Sequence, residues 1–338
     1  PRPALDDEFL PVMRRWRRAV PTSPGGTRRL PIVVPLTHGL GEPRGAAPRS
    51  VFEACGEDIS SLWTPVVLDQ ATVRITQPEA AEVASSILNA VLEARLQPQD
   101  EGLELALTTR GTGQPSAFVS VDATRLLGGA SSQPGTHEDW ERVLNAFRDV
   151  QGALSRSTRS RQLRVIPRAH LSACLAFGRV FNQAAGWQLT VVGRHGDTTM
   201  PTGSGRTSAP IESTLDPVGG PGPMTVEMDL ISGNVSDLAT NAIRESGEVP
   251  VARLQFQRTD TSDLRPDQVA AAADMVSVAI RSHVAELRPK LIRIFCAAPA
   301  EFAVLVGSRL TSLHADLQLY ERDGDRYVAS AFIPASVG

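Results

Sequence analysis

Two stretches of this sequence carry the same pattern. Residues 161–181 (RQLRVIPRAHLSACLAFGRVF) and residues 290–310 (KLIRIFCAAPAEFAVLVGSRL) align 129 positions apart, with Gly178 on Gly307. Arg164 then falls on Arg293, Val165 on Ile294, Ile166 on Phe295, Ala169 on Ala298 and His170 on Pro299. After a one-residue gap, GWQLTVVGRHGD matches ADLQLYERDGD, which puts Leu189 on Leu317, Arg194 on Arg322, Gly196 on Gly324 and Asp197 on Asp325. In each copy a short apolar run of β type leads through small residues into a segment with apolar residues at helical spacing. Pro299 fits the first turn of the second helix, where a missing N–H costs nothing. A chain that builds this unit twice is constrained to an α/β fold with two like halves. A strand feeding a helix in this way also aims free N–H groups and a positive helix end at one spot. That suits an anion such as phosphate, although every α/β protein packs so.

The order upstream repeats as well. AFVSVDATRLL reads as a strand ahead of the amphipathic helix HEDWERVLNAFRDVQGALSR, whose Trp140, Leu144, Phe147 and Val150 share a face. MTVEMDLISGN reads as a strand ahead of the helix VSDLATNAIRE, followed by the strand VPVARLQFQ and the long helix DQVAAAADMVSVAIRSHVAELR. Each half is then a β-α-(β)-α-β-α-β unit, parallel and doubly wound, with helices on both faces. Residues 196–223 (GDTTMPTGSGRTSAPIESTLDPVGGPGP) join the halves and are too long for an idle turn, so they read as a disordered linker or a lid over a ligand. Gly178 and Gly307 stand mid-helix, where glycine costs about 1 kcal/mol against alanine. Bearing that cost at matching places predicts a close approach of each helix to its sheet.

Composition narrows the class. The 338 residues, 41% hydrophobic and 21% charged, leave room for roughly two domains of a globular protein. A net charge of −3 argues against a dedicated duplex-DNA binder and leaves a local basic cluster for a small anion open. No apolar run approaches the ~20 residues that span a membrane. The start, PRPALDDEFLPVMRRWRRAV, has neither signal-peptide layout nor initiator Met, which reads as a processed chain or a piece of a longer one. Cys55, Cys174 and Cys296 are scattered, so the plain reading is buried free thiols in a cytosolic protein. No Cys/His metal spacing, HExxH, P-loop or GxSxG occurs, so no metal, no cofactor and no catalytic constellation are expected. A mononucleotide or dinucleotide enzyme is a weaker reading for want of GxGxxG.

In residues 1–100, LPIVVPL, TPVVLDQ and ATVRIT read as short strands and PEAAEVASSILNAVLEARL as a helix, giving an additional α/β or α+β segment. RRWRR is a solvated helix face or a contact for acidic partners. His38 in THG and Cys55 in EAC loosely resemble the dyad of caspase-like cysteine peptidases, though a 17-residue separation is short for that fold. A peptidase using His38 and Cys55 is the rival reading from another functional class.

The second copy, with its continuation LQLYERDGDRYVASAFI, resembles the end of a SAVED domain. RAHLSACLAFGRVF in the first copy resembles that family's earlier strand-helix element. The resemblance covers roughly residues 101–338 and divides the chain into an N-terminal segment 1–100, a first half 101–212 and a second half 213–338. It implies two fused, pseudo-symmetric CARF-like Rossmann halves that bind cyclic oligonucleotides, typically cyclic tri- or tetra-adenylates, in CBASS or type III CRISPR antiphage signalling. It further implies a cytoplasmic sensor that self-associates, head to tail, when ligand bridges subunits. Such a sensor activates a fused or separate effector, whether nuclease, TIR domain or protease.

The resemblance places ligand contacts at the carboxyl ends of the parallel strands in both halves. Open α/β sheets in general collect ligands at that edge. The edge carries Thr124, Arg125, Pro167, Arg168, His170 and Ser172 in the first half. In the second it carries Ser232, Gly233, Asn234, Ala297, Ala298, Pro299 and Glu301. Arg168 offers phosphate a fork of donors, and Ser172, Ser232 and Asn234 offer hydrogen bonds to ribose or base edges. Tyr320 either stacks on a base or fills the core. Arg194 and Arg322 are phosphate partners or solvated residues of hairpin turns. His170 reads as a polar helix-start residue. Glu301 complements a helix dipole and would repel phosphate if it faced the ligand.

Overall fold

The two copies of the repeat fold alike in the computed structural model, which describes residues 33–35, 71–74, 103–111, 117, 119–124, 126–127, 135–157, 160–200, 208–231, 234–311 and 313–335. The first sheet comprises β1 (Val33–Pro35), β2 (Ala71–Arg74), β3 (Leu103–Thr108), β4 (Val119–Asp122), β5 (Gln162–Arg168), β6 (Gln188–Gly193) and β7 (Gly196–Thr199), in the order β1-β2-β4-β3-β5-β6-β7. The second comprises β8 (Ile211–Pro217), β9 (Met224–Asp229), β10 (Ala252–Arg258), β11 (Leu291–Ala297), β12 (Asp316–Asp323) and β13 (Arg326–Ile333), in the order β13-β12-β11-β9-β10-β8. Neighbours within the sheets are parallel, with antiparallel strands added only at edges, where β6 pairs β7, β12 pairs β13 and β10 pairs β8. The helices among the described residues are α1 (His137–Ser157), α2 (Leu171–Val180), α3 (Val235–Ser246), α4 (Pro266–Leu287) and α5 (Ala300–Arg309), and the helix expected over PEAAEVASSILNAVLEARL lies outside those residues. None of α1–α5 is long and apolar enough to cross a membrane.

Strand order matches the halves element by element. β3, β4, α1, β5, α2, β6 and β7 correspond to β9, β10, α4, β11, α5, β12 and β13, and α3 lies between β9 and β10. The counterpart of MTVEMD is therefore LELALT, a strand that the sequence pattern had not disclosed, and AFVSVD matches β10 instead. Residues 196–223 are not one long loop. They contain β7 and β8, and β8 pairs with β10 along its whole length, from Ile211 opposite Arg258 to Pro217 opposite Ala252. That ladder satisfies backbone groups that a free linker would leave to water.

The expected face of α1 is buried, with Trp140, Leu144, Phe147 and Val150 all inside. Phe147 meets Phe177 of α2 edge-on at 5.4 Å between centroids, Phe177 stacks on Phe181 at 4.4 Å, and Phe181 meets Trp187 at 5.1 Å. Each such ring removes enough apolar surface from water to contribute roughly 1.5–3 kcal/mol.

The two mid-helix glycines serve a different contact from the one expected. A β-carbon on Gly178 would stand 2.0 Å from the Val304 carbonyl oxygen, and one on Gly307 would stand 2.1 Å from that of Leu175. The close approach is thus helix to helix, α2 against α5, and not helix to sheet. This reciprocal crossing lies between the halves and welds them together.

Candidate functional site

The carboxyl ends of both sets of parallel strands lie on one side of the molecule. Glu321, near the end of β12, accepts a hydrogen bond at 3.0 Å from the Ser172 amide at the start of α2. Glu301, at the start of α5, presses on Gly193 at the end of β6, where a β-carbon would meet its carboxylate at 2.4 Å. So α2 and α5 run in the same direction, each beginning against the strand ends of the other half.

In the first half those strand ends are tied together. The amides of Thr109 and Arg110 donate to the Arg168 carbonyl at 3.1 and 3.2 Å. The His170 amide donates to Thr109 Oγ1 at 2.7 Å, and the same hydroxyl is hydrogen-bonded to His170 Nδ1, also at 2.7 Å, with the tautomer deciding which of the two donates. The ring is fully buried, edge-on to Trp140. Burial, helped by the charge of Arg110, depresses its pKa to about 4. Neutral and enclosed, His170 braces the end of β3 and does not reach the face.

Arg110 extends over the start of α2, with Nη2 2.8 Å from Glu321 Oε1. Arg168 is exposed at the end of β5, and Pro167 is half-buried opposite Leu107. Thr124 closes the end of β4, its amide and hydroxyl both donating to Asp122 Oδ1 at 3.0 and 2.7 Å. Arg194 is exposed in the turn between β6 and β7.

In the second half Asn234 precedes α3 and accepts from Arg322 Nη1 at 3.3 Å, while Arg322 Nε donates to the Gly324 carbonyl at 3.0 Å. The arginine therefore joins its hairpin turn to the start of α3. The first amide of α3, on Val235, donates to Asp229 Oδ2 at 3.0 Å. Ala297 and Ala298 are buried, and Pro299 is the residue that caps α5, one place ahead of the first turn assigned to it from sequence. Its backbone (φ −57°, ψ 145°) repeats that of His170 (φ −58°, ψ 145°). Tyr320 is half-buried and stacks on Phe295, 4.3 Å between centroids, in the small core beneath α3. Burial raises its pKa.

Two expectations about the rim change. Ser172 is buried, its amide given to Glu321 and its hydroxyl accepting from Ser330 Oγ at 2.7 Å, so it is not free for ribose or base. The tip of α2 is matched to the protein's own carboxylate. Glu301 is buried, its carboxylate packed against Gly193 at the end of β6, and is not an exposed charge on the rim. Arg125, Ser232, Gly233, His38 and Cys55 lie outside the described residues. Among the described residues, no cluster of His, Cys, Asp and Glu could hold a metal ion. Thr109, Arg110 and Glu321 escaped the sequence reading. The available signal was Glu321 itself, an acid at the inward position that Leu317 and Leu319 set by alternation along the strand.

Known proteins share this fold. Residues 146–335 match SAVED, the SMODS-associated and fused to various effectors sensor domain. The fold is similar to that of the Acinetobacter baumannii Cap4 SAVED/CARF-domain containing receptor with the cyclic trinucleotide 3'3'3'-cAAA, with a TM-score of 0.57 and 17% identity, covering 75% of this chain and 54% of that one. The same receptor with 2'3'3'-cAAA gives a TM-score of 0.55 at 17% identity, covering 76% and 54%. The Moraxella osloensis Cap4 SAVED/CARF-domain containing receptor gives a TM-score of 0.54 at 15% identity, covering 97% and 85%. The chain spans about half the length of the Acinetobacter receptor. At these identities the likeness is one of fold. No curated protein matches the chain in sequence.

Proposed function

The chain belongs to the SAVED family, and from that premise we propose that it is a sensor of cyclic oligonucleotides of the tri- or tetra-adenylate class. The observation that carries the reading is the common side on which α2, α5 and the strand ends of both halves meet. A ring of phosphodiesters laid across that side meets Arg168 and Thr124 from one half and Asn234 and Arg322 from the other. Arg194 stands on the rim. These arginines concentrate positive charge on one face of a chain whose net charge is −3, as recognition of a small anion requires. The cyclic trinucleotides held by the two Acinetobacter receptor structures support the ligand class.

Binding would act as a switch by favouring one assembly state over another, since only differential affinity moves such an equilibrium. Ligand on the open face of one subunit bridges to the next in a head-to-tail stack. That stack turns on a fused or separate effector in CBASS or type III CRISPR defence within the cytoplasm. Calorimetric titration with cyclic tri- and tetra-adenylate tests the reading. Tight binding of at least one ring, strongly weakened by Arg168→Glu, is expected. Failure of every cyclic oligonucleotide to bind ends the sensor reading, and unaltered binding by the variant removes Arg168 from the site.

A further inference from the structure

We propose that Arg110 is a further ligand-binding residue, a phosphate clamp at the junction of the two halves, and that Glu321 is the residue that holds it in position. The proposal rests on the reading of this face as a cyclic oligonucleotide site. Arg110 comes from the first half, at the end of β3, and Glu321 comes from the second, on β12. Their bond joins residues 211 positions apart in the chain. Glu321 is 3% exposed, and a carboxylate so enclosed is costly unless both oxygens are matched. They are matched, Oε2 by the Ser172 amide and Oε1 by Arg110.

Arg110 is fixed from behind as well. Its amide donates to the Arg168 carbonyl, the preceding Thr109 is clamped by His170, and the following Gly111 turns the chain with φ +81°. Yet its side chain is 47% exposed. A guanidinium carries more N–H donors than the single one that Glu321 engages. The remainder stay open to solvent beside the start of α2. A phosphodiester presents two free oxygens and one charge, which a planar guanidinium meets with paired hydrogen bonds. Because the side chain is already oriented, less rotamer freedom is lost on binding than for a loose surface arginine. Arg168 stands on the neighbouring strand end, paired in register with Thr108, and supplies a second cation beside it.

Titrating whichever of cyclic tri- and tetra-adenylate binds the wild-type protein into Arg110→Gln, Glu321→Gln and the double variant tests this. Arg110→Gln is expected to weaken binding at least about tenfold. Its unfolding midpoint should fall as well, because the enclosed Glu321 loses the charge that matches Oε1, so each titration is run well below the midpoint, where the variant is folded. Glu321→Gln should weaken binding less, and should add nothing in the Arg110→Gln background, since it acts through the arginine. Wild-type affinity in Arg110→Gln overturns the clamp. Independent, additive losses from the two substitutions overturn the positioning role of Glu321. A wild-type protein that binds no cyclic oligonucleotide overturns the sensor reading, and the clamp falls with it.

Discussion

Gly178 of α2 lies so close to Val304 of α5 that a β-carbon on the glycine would stand 2.0 Å from the valine carbonyl oxygen. The obstacle is backbone, which cannot rotate aside as a side chain can. Alanine at Gly178 or Gly307 gains about 1 kcal/mol of helix propensity and must still push two helices apart. Overpacking of this kind typically costs about 1–3 kcal/mol, and the clash here is severe. Each substitution is therefore expected to lower stability by a net ~1–2 kcal/mol in urea denaturation. The pair should cost less than the sum, because both relieve one crossing. A stabilised Gly178→Ala protein would mean that the crossing opens freely.

Glu227 on β9 is buried and holds α3 to the sheet. Arg253 Nε donates to its Oε1 at 2.7 Å, while Gln255 Nε2 and Ser236 Oγ donate to Oε2 at 3.0 and 2.6 Å. Glu227→Ala strands these donors. The expected loss is about 2–4 kcal/mol, eased somewhat because Arg253 is a fifth exposed. Chemical denaturation monitored by circular dichroism checks it, and an unchanged midpoint would contradict the network's role.

His170 gives the fold a pH dependence of definite sign. Its pKa falls from 6.5 to about 4 on folding, so between those values the unfolded chain binds a proton that the folded chain does not. Stability present above pH 6.5 is lost as pH falls and levels off below about 4, a span of about 3–4 kcal/mol at most. Urea denaturation across this window should show a shallower slope in His170→Asn than in wild type. Parallel curves would mean that the imidazole takes up its proton in place.

Cys174 and Cys296 are both fully enclosed, and burial pushes both thiols well above the usual range. The thiolate is the reactive form. Neither cysteine should be labelled by a disulfide reagent at neutral pH in the native state, and both should react on unfolding, as peptide mass analysis would show. Rapid native labelling of Cys174 would mean that the contact between the halves opens readily.

The duplication was legible because it is written in packing residues. The ends of β5 and β11, and of α2 and α5, agree with the 129-position offset residue for residue. The central strand LELALT was not legible, and one reason is that its Glu104 is neutralised by Arg164 of β5, a partner that only strand pairing reveals. IESTLDP hid for another reason. It is an edge strand exposed along most of its length, with too little apolar alternation to stand out. At the site, topology alone put Arg168 and Asn234 at strand ends, where they stand, whereas Arg322, read as a phosphate partner or a hairpin-turn residue, lies in β12 just ahead of the turn. The Arg110–Glu321 contact was not legible, because it joins the two halves across 211 positions. The helix glycines were rightly singled out as a sign of close approach, yet a spacing cannot say which surface comes close.

At the two equivalent corners of the molecule the acid arrives from opposite directions. Strand residue Glu321 faces helix residue Ser172 at one, and helix residue Glu301 faces strand residue Gly193 at the other. Were the first lobe to mate with a copy of itself, serine would look at glycine across a gap. Were the second to do so, two carboxylates would collide in a dry seam. Each lobe has become the other's lock, so neither can trade its tethered companion for a twin.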